Sequence, residues 1–182
     1  MKRKMLAVLI VCTLALLSVS AATHSILAQV SPYSYQDVKF NNTDQFKSKY
    51  GFGAKLGYRY QFPSIKGAVG LDVSFTDYKY NETTKPYFVI SALIKAGVII
   101  PISNVVKFDF DFGAGIDVRS LNSVTRVYPA YGIYAGFSFA VSSAVDITAG
   151  ADFRIGRQRN TTATFDSLDT AFLCNLGARI NL

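Results

Sequence analysis

The sequence predicts an all-β fold, an antiparallel eight-stranded transmembrane up-and-down β-barrel with a filled polar lumen, and three observations lead there. Residues 106–118 alternate without a break: Val106, Phe108, Phe110, Phe112, Ala114, Ile116 and Val118 are apolar, while Lys107, Asp109, Asp111, Gly113, Gly115 and Asp117 are charged or glycine. That is the period of two that belongs to a strand. The same alternation recurs along most of the chain, in runs longer than the roughly five to six residues usual in soluble sheets. Finally, short connections (63–66, 101–104, 142–144) take turns with longer polar ones (41–48, 79–85, 120–126, 157–168), the rhythm of a barrel with tight turns on one side of a membrane and loops on the other.

Residues 1–22 read as a secretory leader: Lys2, Arg3 and Lys4, an apolar run from Met5 to Leu17, and the small residues Ser18, Ser20, Ala21 and Ala22 before a cleavage point. The barrel is then residues 23–182. Without the three basic residues of the leader the formal charge falls from +7 to +4, so part of the basic character belongs to the leader, and nucleic acid is not an expected partner. Cys174 is the only cysteine beyond it, which leaves no internal disulfide to brace an exported protein.

The strands follow in order. Residues 23–42 are hard to read, because Pro32 and a mixed parity blur the pattern; a short first strand is expected near 26–37. From Tyr50 the alternation is clear, with Tyr50, Phe52, Ala54, Leu56, Tyr58, Tyr60 and Phe62 on one face and Lys49, Gly51, Gly53, Lys55, Gly57 and Arg59 on the other. The return strand sets Val69, Leu71, Val73 and Phe75 against Gly70, Asp72, Ser74, Thr76 and Tyr78. In the fourth, Phe88, Ile90, Ala92, Ile94, Ala96 and Val98 oppose Ser91, Lys95 and Gly97, although Val89, Leu93 and Ile99 weaken the contrast. The run at 106–118 is the fifth. Tyr131, Ile133, Ala135, Phe137 and Phe139 mark the sixth, Val145 to Ile155 the seventh, and Phe172, Cys174, Leu176, Ala178, Ile180 and Leu182 the eighth. Apart from Gly67 at a turn, every glycine falls on the polar face, where it leaves room for a long side chain from a neighbouring strand, as a narrow filled lumen requires.

Polarity decides which face points inward. The polar face collects Lys49, Lys55, Arg59, Lys95, Lys107, Arg119, Arg154 and Arg179 against Asp72, Asp109, Asp111, Asp117, Asp146 and Asp152, eight cations to six anions. The other face carries Tyr and Phe on strand after strand, more than an eight-stranded soluble barrel could house, whereas lipid receives them without limit. The apolar face is therefore expected to meet lipid and the charges to pair inside. A two-sheet sandwich with its charged side in water remains the alternative reading.

Catalytic groups are scarce. His24 is the only histidine and lies next to the leader, so no Ser/His or Cys/His pair and no histidine-based metal site can be built. Asp109 and Asp111 share a face and read as members of an ion-pair network with Lys107 and Arg119 rather than as a metal site. No enzyme activity and no cofactor are expected.

From Lys49 onward the chain resembles the small eight-stranded outer-membrane barrels of the OmpA, OmpX and OmpW group. The resemblance rests on the Gly-x-x-x-Gly-Tyr-Arg-Tyr pattern at Gly53 to Tyr60, on the strand and turn spacing, and on the closing stretch 175–182. Asn175, Gly177, Ile180 and Leu182 are similar to that group's C-terminal assembly signal, with Leu182 standing where an aromatic is usual. It implies a bacterial outer-membrane location, with outer-membrane lipid and the assembly machinery as partners. For function it implies either a plugged scaffold whose surface loops contact host or envelope molecules, an adhesin-like role with an extracellular ligand at the loops, or an OmpW-like narrow channel, porin-like, for small and hydrophobic molecules.

Overall fold

The computed structural model describes residues 23–40, 43–62, 66–80, 83–121, 124–159 and 166–182, with backbone alone at 23, 39–40, 43–47, 49, 80, 83–86, 121, 124, 157–159 and 166–167. The leader assigned to residues 1–22 lies outside them. Eight strands follow one another: β1 Thr23–Phe40, β2 Thr43–Gln61, β3 Gly67–Tyr80, β4 Thr83–Pro101, β5 Val106–Leu121, β6 Val124–Ala140, β7 Val145–Arg159 and β8 Asp166–Asn181. Each pairs antiparallel with its neighbours in sequence, and β1 closes onto β8 from Ser25↔Asn181 to Phe40↔Ser167. Closure leaves no edge along the body of the sheet, which a backbone in hydrocarbon requires.

Alternation of side chains becomes inside and outside. On β5 Asp109 and Asp111 are buried in the lumen while Phe110 and Phe112 stand outward and exposed, and the same order holds through Ile133, Phe137, Ile147 and Phe153 on β6 and β7. Val89, Leu93 and Ile99, which blurred the fourth strand in the sequence, are buried lumenal residues beside Ser91 and Lys95. The lumen therefore contains apolar layers between its charges. Outside, aromatic residues meet in pairs near both ends of the wall: Phe108 with Phe137 at 5.4 Å and Phe75 with Phe88 at 5.8 Å between ring centroids. Tyr60, expected to face lipid, is almost covered by the His24 and Phe62 rings at 5.3 and 5.0 Å, and His24 Nδ1 is bonded to the Tyr58 hydroxyl.

The first strand is longer than the 26–37 expected. Its register slips between Ser31 and Ser34 against β2 and between Val30 and Tyr33 against β8. Ser25, Leu27, Gln29 and Ser31 point inward before the slip, and Ser34, Gln36 and Val38 after it, with Pro32 and Tyr33 both exposed. One extra residue at a bulge flips the parity, and Pro32 sits there because it cannot donate to the ladder. The lost alternation in the sequence has this cause.

Two turns at one end are short and alike, while most of the turn expected at 63–66 lies outside the described residues. In residues 102–105 and 141–144 a serine at the second position, Ser103 or Ser142, accepts backbone N–H bonds from the residues two and three further on, at 3.0–3.2 Å. At the other end the expected loops are much shorter than the sequence implied. The ladders run on to Phe40↔Thr43, Tyr80↔Thr83, Leu121↔Val124 and Arg159↔Asp166, so most of 41–48, 79–85 and 120–126, and residues 157–159 and 166–168 of the fourth run, are strand. These runs are polar on both faces, which is why they read as loops: a sheet wetted on both sides has no apolar alternation to show.

Phe110 is 42% exposed on the outer face, about four residues above the 102–105 turn. Phe110→Arg should lower the unfolding free energy in lipid vesicles, read by urea titration, by about 2–4 kcal/mol, the cost of a cation near the bilayer midplane. Ser143→Arg, in an exposed turn, should change it little. Equal tolerance at both positions would mean that the outer face does not meet hydrocarbon.

Candidate functional site

What the barrel holds inside is a column of paired charges in three groups. Nearest the short turns, Arg59 of β2 is paired with Asp111 and lies 3.5 Å from Asp109, both on β5. Arg179 of β8 reaches Asp109 at 2.8 Å, and Lys107 meets Asp146 of β7 at 3.0 Å, with Ser138 of β6 donating to Asp109.

The middle group centres on Asp152 of β7. Lys55 of β2 and Lys95 of β4 meet its two oxygens at 2.8 and 3.0 Å, and Lys95 also meets Asp72 of β3 at 2.7 Å. Asn175 of β8 donates to Asp152 at 2.8 Å and accepts from Ser31 of β1 at 2.6 Å. Lys55 lies 4.4 Å from the centroid of the buried Tyr134 ring on β6. Side chains of seven strands thus converge on one cluster. Glycine makes the space: a Cβ at Gly136 or Gly150 would run into the Tyr134 hydroxyl.

The third group lies toward the long-strand end. Arg119 of β5 is paired with Asp117 at 3.0 Å and with Asp169 of β8, and its guanidinium lies 4.3 Å from the Tyr128 ring centroid on β6. Arg154 links this end to the middle, donating to Ser74 and Ser91 at 2.8 and 2.7 Å. Between them a void of about 10 Å³, bordered by Tyr78, Asp117, Arg119, Arg154 and Asp169, has room for about one water.

Among the described lumenal residues the cations are Lys55, Arg59, Lys95, Lys107, Arg119, Arg154 and Arg179, and the anions Asp72, Asp109, Asp111, Asp117, Asp146, Asp152 and Asp169, seven of each. The sequence count differed at two places. The Lys49 side chain lies outside the described residues, beside a register shift between Ser48 and Tyr50. Asp169 was missed because it stands between the expected loop, which ends at Leu168, and the expected eighth strand, marked from Phe172; its pairing with Arg119 could have been sought only by asking where that strand begins. Of the C-terminal stretch, Asn175 serves the lumen, Ile180 and Leu182 are exposed on the outside, and a Cβ at Gly177 would strike the Ala28 carbonyl. Lumenal balance follows from energetics, since an ion taken out of water is tolerated only opposite a partner.

No family model matches the chain, and no curated protein does. Solved structures do. Neisserial surface protein A superposes with a TM-score of 0.63 at 16% identity, over 86% of this chain and 96% of that one. The N-terminal β-barrel domain of Pseudomonas aeruginosa OprF gives 0.51 at 13% identity, over 88% and 97%. Ail, the attachment invasion locus protein of Yersinia pestis, gives 0.50 at 18% identity, over 85% and 97%. The fold is that of the small eight-stranded outer-membrane β-barrels.

Burial should grade the cost of breaking these pairs. Asp152→Asn preserves shape but removes the charge facing Lys55 and Lys95, and should cost about 3–5 kcal/mol in vesicle unfolding. Lys107→Gln, whose side chain is 33% exposed at the turn end, should cost less than about 1 kcal/mol. Equal losses at the two sites would contradict a network whose strength comes from burial.

Proposed function

We propose that this protein is a plugged outer-membrane barrel that anchors in lipid and presents its long-strand end to the outside as a contact surface for host or envelope molecules. The observation that carries the reading is the length of the wall. Strands of 14 to 19 residues exceed the roughly 9–11 needed to cross a bilayer, so on the long-strand side paired sheet stands beyond the membrane, above a lumen filled with charge.

That standing sheet is the contact surface, in place of the surface loops the polar runs implied. One part of it is distinctive. The β6–β7 ladder stops at Ala130↔Gly156, yet β6 continues to Val124 and β7 to Arg159, each still paired on its other side. Pro129 sits one residue past the last pair, where its missing N–H costs nothing. The β6 edge, with Thr125, Arg126 and Val127 exposed and Val127 at 58%, is therefore open to an extended peptide, the mode in which main-chain bonds supply affinity and side chains supply selection. Arg126, exposed on that edge, favours an acidic partner. Ail is named for attachment and invasion; that name is consistent with this reading at the level of the fold.

The proposal is tested in two steps. In a Cys12→Ser, Cys174→Ala background, Thr125→Cys should react with an impermeant maleimide on intact cells, whereas Ser143→Cys should react only after the envelope is broken. The reverse pattern would sink the orientation. Vesicles carrying the refolded protein should then be retained on a surface coated with extracellular-matrix proteins above protein-free vesicles. Val127→Pro should abolish the retention while leaving heat-modifiable folding intact; no retention by the unaltered protein would count against a contact role.

A further inference from the structure

Beyond Ala130↔Gly156 the described residues show a slit in the wall between the β5–β6 and β7–β8 hairpins, while β5 stays paired with β4 as far as Leu121↔Tyr87 and β8 with β1 as far as Ser167↔Phe40. Arg119 spans the gap. Its side chain leaves β5, passes the face of Tyr128 on β6 at 4.3 Å, runs beneath Gly156 of β7, and ends in an ion pair with Asp169 of β8. Gly156 permits the crossing, since a Cβ there would collide with the guanidinium Nη2. Asp117 holds that nitrogen from the β5 side at 3.0 Å. Among the described residues this is the ion pair that joins the two hairpins at this end; the other β5 ties, from Lys107 to Asp146 and from Asp109 to Arg179, lie at the turn end.

We infer that Arg119 is a clasp that sets the width of the β6–β7 seam, and that its release lets the β5–β6 hairpin swing out and frees the β6 edge for strand pairing. Three features fit this role. The clasp is nearly dry, with Arg119 5% and Asp169 3% exposed, so bulk water does not compete for it. It acts at one point rather than along a ladder, so one broken pair removes the tie across the seam. It also has capacity to spare, since Arg119 Nε, Asp117 Oδ1 and Asp169 Oδ1 make no hydrogen bond among the described residues. An acidic side chain brought by a strand docking on β6 would be chemically equivalent to Asp169 and could take over the guanidinium, coupling docking to opening.

The inference deepens the reading of β6 as a docking edge, but its test needs no partner. Spin labels attached at Val127→Cys and Arg157→Cys, in the Cys12→Ser, Cys174→Ala background and in lipid nanodiscs, report the seam by pulsed dipolar spectroscopy. The parent should give a narrow distance distribution. Arg119→Gln should shift it to longer distances and broaden it, Asp169→Asn should do the same from the other side, and Arg119→Lys should fall between, keeping charge but losing the fork. Lys107→Gln, which breaks a pair at the far end, should leave the distribution unchanged. If Arg119→Gln does not fold, Asp169→Asn carries the test. Distributions unmoved by the Arg119 and Asp169 substitutions, or moved equally by Lys107→Gln, would overturn the clasp. A seam that widens in vesicles that still fail to adhere would leave the clasp standing and remove the docking reading.

Discussion

Everything in this barrel depends on a requirement of charge pairing in a space with little water. Eight strands enclose a lumen only wide enough for side chains, and a carboxylate or ammonium placed there without a partner would lose several kcal/mol of hydration. The chain meets the requirement through residues far apart in sequence: Lys55 with Asp152, Arg59 with Asp111, Arg119 with Asp169. Each pair ties strands that are not neighbours in the sheet, so the network braces the wall across its diameter as well as filling it. Small inward residues follow from the same requirement, because the long cationic side chains fit only where glycine or serine lines the opposite wall.

The charge column also divides the molecule's labour. Below the level of Arg154 the interior is dense, with Tyr134 and Leu93 among its fully buried side chains. Above it Tyr78, Tyr87 and Val89 still pack together, beside the Arg119 group, a small void and the end of the β6–β7 ladder. The proposed moving seam belongs to the upper part, where the β6–β7 ladder has ended and backbone bonds are exposed.

How much of this was legible in the sequence depended on whether one face of a strand was wet and the other apolar. Residues 106–118 meet that condition throughout, and their faces follow directly from it. β1 does not, because the bulge at Pro32 inverts its parity midway. The outer ends of the strands do not either, because water on both sides removes the pattern, and so paired residues such as Thr83 and Val124 read as loop. The inward face of thirteen charged positions could be read from parity alone, yet the partners could not, since which lysine meets which aspartate depends on the stagger between strands. Asp169 shows both limits at once: it lies where alternation fades, and its partner is fifty residues away.

The central claim is that the lumen is a plug made of ion pairs rather than a pore, and single-channel recording in planar bilayers tests it most directly. The unaltered protein should show no steady conductance. Lys55→Ala combined with Arg59→Ala, which removes one cation from the middle group and one from the turn-end group and shortens two side chains, should produce openings. A large, steady conductance from the unaltered protein would contradict the account and return the barrel to the class of narrow channels.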